Sequence, residues 1–325
     1  MASEFCILGS GAMGLVFATS IARARIPVKL LLRPSALKLF DGSITEEQRP
    51  PPPAPFMRET FRVEAEQASK HGTSISTLIL ATKAQHALEA LTSIEGRLNS
   101  DSVVVLAQNG VLGVMDQLKS YFPASKLPRF VYGVLNHGGN RPPNEPFTVE
   151  HSVPHGYALF GTERSIDILR EKEVVAALSN IPGLNVKWID TPEEVRAIVY
   201  KKLLLNCGVN ALSGIGRSCN NGKIAESPYA VNIVKATIEE CLKVVGENLP
   251  NETVESLMES YMGQMSRNAP TRTSMCEDLD ARRKTEIQFF NGFISKLGRG
   301  MGIPTPVNDL LTNSIHFLEE LVESQ

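Results

Sequence analysis

Paired cysteine spacing is missing from this chain: Cys6, Cys207, Cys219, Cys241 and Cys276 are odd in number and widely scattered. That excludes a disulfide framework and a zinc motif, and it fits a reducing compartment. His137, His151 and His155 show no ligand spacing, so no metal site is expected. A basic excess is also lacking, since the net charge is -2; nucleic acid is therefore not an expected partner. No apolar run reaches the ~18 residues that span a bilayer, so no membrane association is expected. Met1-Ala2-Ser3 leads directly into the strand-like Glu4-Phe5-Cys6-Ile7-Leu8, leaving no room for a signal peptide, and the expected location is cytoplasmic. Internal repeats are absent.

What is present is an ordinary globular composition, 42% hydrophobic and 21% charged, over 325 residues, enough for about two domains at roughly 100–200 residues each. In the first half, short β-rich runs (5–8, 28–32, 78–81, 103–107, 130–135) alternate with helical periods (13–25, 84–98, 112–121). Such alternation predicts a largely parallel sheet with both faces covered. Arg49-Pro50-Pro51-Pro52-Pro53-Ala54-Pro55 interrupts it and reads as a stiff solvated loop. Short strands at 157–160 and 186–189 and a helix over 166–180 close this part. Thr191-Pro192-Glu193-Glu194 is a helix-start signal, after which helices are expected over 193–212, 229–248, 253–267, 285–301 and 308–323. The fold class is thus an α/β Rossmann-type dinucleotide-binding domain, residues 1–190, followed by an all-α C-terminal domain, residues 191–325.

Gly9-Ser10-Gly11-Ala12-Met13-Gly14 follows the first strand and opens the first helix, the context in which GxGxxG marks dinucleotide binding. Gly9 permits the turn, Gly11 lets a pyrophosphate approach the backbone, and Gly14 lets the helix pack closely. The second strand ends in Leu32-Arg33-Pro34-Ser35 rather than in an acidic residue about 20 residues on. Arginine there suits the 2'-phosphate of NADPH through charge-assisted bonds. Lys83 and Asn109, in Thr82-Lys83-Ala84-Gln85 and Gln108-Asn109-Gly110, stand at carboxyl ends of strands, where open α/β sheets bind ligands.

In the helical half, Lys202, Asn206 and Asn210 recur at i, i+4 and i+8 within Lys202-Leu203-Leu204-Leu205-Asn206-Cys207-Gly208-Val209-Asn210. On a helix that spacing drifts only ~40° per step, so all three heads share one face. Polar groups embedded in apolar sequence need partners or a ligand. Alternatives stay open: an ion pair of Lys202 with Glu286, asparagines that cap buried backbone, and Ser274 as a helix cap ahead of Glu277.

These features together resemble the ketopantoate reductase (2-dehydropantoate 2-reductase) family over nearly the whole chain. The residues that carry the likeness are GSGAMG at 9–14, Lys83, QNG at 108–110, KLLLN and GVN at 202–210, NNG at 220–222, and SMCEDLDARRKTEIQFFNG at 274–292. The resemblance implies NADPH-dependent reduction of 2-dehydropantoate to (R)-pantoate. It implies Lys202 as catalytic lysine and Glu286 as its acidic partner at the substrate hydroxyl. Asn206, Asn210 and Asn221 would contact the substrate and Ser274 its carboxylate, with Lys83 and Asn109 near the nicotinamide and substrate. The expected partner is a small 2-oxo acid, and a homodimer is admitted. In β-hydroxyacid dehydrogenases of similar architecture the lysine and asparagine stand three apart, not four. Both Lys202 and Glu286 remain, which argues against a non-catalytic descendant. One departure bears on substrate identity: where the family commonly has asparagine three residues before the serine, this chain has Thr271. Threonine is shorter and lacks the amide, which leaves open a different branched 2-oxo acid.

Overall fold

The computed structural model describes residues 4–48, 55–152, 156–217 and 219–323; residues 49–54 of the proline run and His155 lie outside them. The chain divides into two compact units, Met1–Val195 and Arg196–Gln325.

In the first unit, β1 (Phe5–Leu8), α1 (Ala12–Arg23) and β2 (Val28–Leu32) open the fold; α2 (Pro34–Leu37), β3 (Ser43–Gln48), β4 (Met57–Arg62) and β5 (Glu64–Gln67) follow. Next come β6 (Thr77–Leu80), α3 (Ala87–Thr92), β7 (Val103–Leu106), α4 (Val111–Tyr121), β8 (Arg129–Leu135) and β9 (Gly139–Asn140). β10 (Thr148–His151), β11 (Ala158–Gly161), α5 (Leu169–Ser179) and β12 (Val186–Trp188) complete it. An eight-stranded sheet runs in the order β12-β11-β8-β7-β6-β1-β2-β5, parallel except where β11 meets β8. β1, β6 and β7 are buried at every position, as strands covered on both faces must be, and this is why they read as unbroken apolar runs. β5, Glu-Ala-Glu-Gln, sits at the edge, where charge blocks further pairing and leaves no apolar pattern to read.

A second sheet, β4-β3-β10-β9, was not expected from the sequence. Its β3 carries two buried acids, and each has a cation: Arg23 reaches Glu46 at 2.6 Å, and Arg58 pairs with Glu47. β3 and β4 pair antiparallel with Gln48 opposite Met57, so the proline run joins two hydrogen-bonded strands. The expected helix over 84–98 is cut down to α3 between two 3-10 turns. Thr92 and Ser93 hydroxyls bond back to the carbonyls of Glu89 and Ala90, and the backbone at Gly96 lies so close to Lys70 O that a Cβ would sit 2.5 Å from it.

The second unit is helical: α6 (Pro192–Ile215, whose first turn belongs to the first unit), α7 (Asn221–Glu226), α8 (Pro228–Val245), α9 (Val254–Arg267), α10 (Ser274–Asp280), α11 (Asn291–Met301) and α12 (Pro306–Glu323). The helix expected from residue 285 starts instead at Asn291. Thr285 spends its hydroxyl on the Ile287 amide and its own N–H on Glu319, which leaves a short 3-10 turn, Ile287–Phe289, ahead of α11. Leu204, Cys207, Ala211, Ile238, Cys241, Leu279, Ile287, Ile294 and Ile315 are fully buried in this unit.

Candidate active-site residues

In the first unit the turn after β1 is built as its glycines require. Gly9 has φ +113°, and a Cβ there would lie 2.8 Å from Ala81 C and Thr82 N. A Cβ on Gly14 would lie 1.9 Å from Gly9 O, so α1 packs on the turn only because that position is bare. Gly11 is different: a Cβ would find nothing nearer than Ala81 O at 3.9 Å, so no protein atom demands glycine there. Gly11 is the N-cap of α1 without a side-chain cap, and the first turn holds no acid. The leading amides of Ala12, Met13 and Gly14 therefore begin a helix whose positive end faces no protein anion on its own element. Bare backbone, open space and uncapped amides fit a dinucleotide pyrophosphate.

Arg33 is exposed at the end of β2, and among the described residues it forms no ion pair. Lys83 precedes the 3-10 turn Ala84–His86 after β6, half-buried and with partners of its own. Asn109 follows β7, half-buried, just before Gly110, whose φ of +68° starts α4. β6 and β7 are neighbours in register, Leu80 opposite Leu106. Just beyond them, Thr82 Oγ1 and both amide atoms of Gln108 are buried without a hydrogen bond among the described residues. One cation has no sequence signal at all: Arg141, 131 residues from the turn, places Nη1 3.4 Å from Ser10 O.

In the second unit, α6 carries Lys202, Asn206 and Asn210 along one face, as the spacing predicts. Asn206 and Asn210 are buried, at 5% and 7% exposure, yet neither side chain makes a hydrogen bond among the described residues. They are not caps of buried backbone. Lys202 is half-buried and forms no ion pair among those residues, so the tie to Glu286 considered above is not made. Burial lowers its pKa from lysine's ordinary 10.5, because a desolvated ammonium is harder to keep charged. Glu286 is buried and leads into the 3-10 turn before α11.

Ser274 is not the cap of α10. Thr273, with extended backbone at φ -79° and ψ 156°, caps it by accepting from Cys276 N–H at 3.4 Å, and Ser274 is the first helical residue with its hydroxyl outside that bond. Asn221 is the first residue of α7. Its N–H donates to Thr271 O at 2.9 Å and its Nδ2 to Asn268 O at 3.3 Å, so it ties down the loop that carries Thr271. The structure thus unites Lys202, Asn206 and Asn210 on one element and sets Asn221 against the Thr271 loop.

A Rossmann-type fold in one unit and, in the other, a lysine with no ion pair among the described residues beside two buried asparagines define the class: a nicotinamide-dependent oxidoreductase. Residues 5–163 match the family described as ketopantoate reductase PanE/ApbA, and residues 194–319 match its C-terminal domain, so the chain belongs to the ketopantoate reductase family. A 2-dehydropantoate 2-reductase of Vibrio cholerae serotype O1 is 25% identical over 319 residues, covering 97% of each chain. Among solved structures, a PanE/ApbA family ketopantoate reductase from Ralstonia eutropha JMP134 superposes with a TM-score of 0.81 at 21% identity, covering 98% of this chain and 99% of that one. A D-mandelate dehydrogenase with NADH and anilino(oxo)acetate reaches 0.85, also at 21% identity and the same coverage. Like its family, the chain is an oxidoreductase acting on CH–OH groups. No helix among the described residues is long and apolar enough to cross a membrane, and no metal-binding cluster occurs among them.

Proposed function

We propose that the protein reduces 2-dehydropantoate to (R)-pantoate with NADPH, and that Lys202 is the general acid. The observation that carries this reading is the Lys202 ammonium, unpaired among the described residues and with its pKa lowered by burial, in line with Asn206 and Asn210. The amides of Ala12, Met13 and Gly14 and the guanidinium of Arg33 would hold the cofactor, with Gly9, Ser10 and Gly11 shaping the turn and Lys83 and Asn109 toward its nicotinamide end. Bound there in reduced form, it supplies the hydride.

The residues of the second unit then do the rest. As the carbonyl oxygen at C2 gains negative charge, the Lys202 ammonium stabilises it and gives up a proton to form the hydroxyl. A lysine pulled down from 10.5 gives that proton more readily than an ordinary one. Asn206, one turn away, orients the carbonyl; Asn210 and Asn221 are further substrate contacts; Glu286 accepts from the new hydroxyl; and Ser274 donates to the substrate carboxylate. Because the acid form is required, turnover should fall as pH rises through the lowered lysine pKa.

A second reading, reduction of a different branched 2-oxo acid, is favoured by Thr271, and the likeness to D-mandelate dehydrogenase supports it. Steady-state rates with NADPH and NADH across a panel of 2-oxo acids separate the two. Lys202→Ala should lower kcat by roughly 10²–10⁴-fold, the usual range for a lost general acid, with cofactor affinity nearly unchanged. Unaltered turnover in that variant rules out Lys202 as the acid.

A further inference from the structure

Behind the face of α6 that bears Lys202, a second polar group holds the helix from the core. Asn291, fully buried at the start of α11, donates from Nδ2 to the backbone carbonyl of Cys207 at 3.1 Å and to Asn308 Oδ1 at 3.0 Å. Asn308, fully buried on α12, donates from its own Nδ2 to Glu240 Oε2 at 2.9 Å, and its N–H reaches the same oxygen at 3.0 Å. Glu240, buried on α8, also accepts from Val307 N–H at 2.8 Å, so a carboxylate closes the N-terminus of α12. Cys241 Sγ, beside it, approaches Asn308 Oδ1 at 3.7 Å. Each amide has only one workable orientation: both partners of Asn291 Nδ2 are pure acceptors, and Asn308 Nδ2 faces a carboxylate. The chain therefore runs in a fixed direction, from Glu240 through Asn308 and Asn291 to α6.

Its end point is informative. Cys207 follows Asn206 directly and precedes Asn210 by three residues, and its carbonyl sits mid-helix, where Ala211 N–H already serves as its regular partner. The extra bond is not needed to form the helix, and apolar side chains of similar volume would fill the space at no greater cost. What apolar packing does not give is a directional grip on the backbone. Head groups on a helix lie about 6 Å from its axis, so a rotation of roughly 10° displaces them by about 1 Å. A displacement of that size at a reacting centre costs about 10²-fold in rate.

We propose that Asn291, backed by Asn308 and Glu240, is a positioning residue that fixes the rotation of α6 and so aims Lys202, Asn206 and Asn210 at one bound substrate. The proposal rests on Lys202 being the general acid. It is tested with Asn291→Ala, with Asn291→Leu, which keeps the volume but cannot donate to Cys207 O, and with Asn308→Asp, which sets two carboxylates face to face. Two readouts are taken: kcat and the KM for each substrate, and the titration of Lys202 followed by NMR in selectively labelled protein without cofactor.

Asn291→Ala and Asn308→Asp are expected to lower kcat roughly 10- to 100-fold with the KM for NADPH unchanged, and to move the Lys202 titration. Asn291→Leu, which keeps the packing, is expected to show the same two changes. Variants that stay folded with kcat and the Lys202 titration as in the parent, or that lose only melting temperature, overturn the proposal. Should Asn291→Ala not fold, Asn291→Leu and Asn308→Asp decide by the same criteria. Lys202→Ala, run alongside, separates the two ideas: loss of turnover there with normal Asn291 variants sinks only the positioning role, whereas full turnover there removes the general acid itself.

Discussion

Arg33 shows how much one side chain can decide. It projects from the end of β2 with no carboxylate to neutralise it among the described residues, so its charge is available to a ligand phosphate. Charge-assisted bonds of this kind are worth about 1.5–3 kcal/mol. Arg33→Ala should raise the KM for NADPH by roughly 10- to 100-fold and leave that for NADH within about 3-fold, measured side by side. Equal shifts for both cofactors would show that Arg33 does not read the 2'-phosphate. Arg33 stands out in the sequence because an expected acid is missing from its place, and the lysine–asparagine series of α6 was legible because helical spacing alone puts the heads in line. Arg141 was not legible: its approach to Ser10 depends on a strand pair with no hydrophobic signature. Ser274 was half legible, since the sequence places a cap there but does not say that the neighbouring threonine takes it.

At the level of elements, the turn between β1 and α1 separates glycines needed for packing from one that no neighbouring protein atom requires. Gly14→Ala drives a methyl into Gly9 O, 1.9 Å away. Over-packing of this kind costs about 1–3 kcal/mol or more, so the melting temperature and cofactor binding should fall together. Gly11→Ala meets only Ala81 O at 3.9 Å; thermal melting should show stability nearly unchanged, while calorimetry shows weakened cofactor binding. A large loss of stability in Gly11→Ala would mean that this glycine serves the fold. The central strands and the long helices were readable because burial on both faces, or on one stripe, imposes a pattern. The β3–β4 and β9–β10 pairs were not, because their inner positions hold acids, histidine and threonine stabilised by partners far away in sequence. The helix start at Asn291 escaped for a related reason: Glu319, 34 residues on, claims the Thr285 amide.

For the molecule as a whole, the long-range charge pairs predict its response to acid. Glu46 is buried, which alone would raise its pKa, but hydrogen bonds from His151, Gln48 and Arg23 outweigh that and bring it from 4.5 to about 2. A carboxyl with a depressed folded-state pKa contributes stability that is complete above 4.5 and is lost as pH falls from there through about 2. The shift corresponds to about 3 kcal/mol. Denaturant titrations between pH 7 and pH 2.5 should show that loss in the parent, and Glu46→Gln should be less stable at pH 7 with a flatter acid limb. A parent and variant with parallel pH profiles would remove Glu46 as the acid-sensitive group.

The division between the two units falls after Val195, one turn into α6, whereas the cap of that helix lies earlier, with Thr191 Oγ1 accepting from Glu194 N–H at 3.2 Å. Anyone who produces the helical half on its own should therefore begin it ahead of Thr191. Begun at the compact-unit border, it would carry a helix stripped of its first turn, with its leading amides unsatisfied some two turns before Lys202.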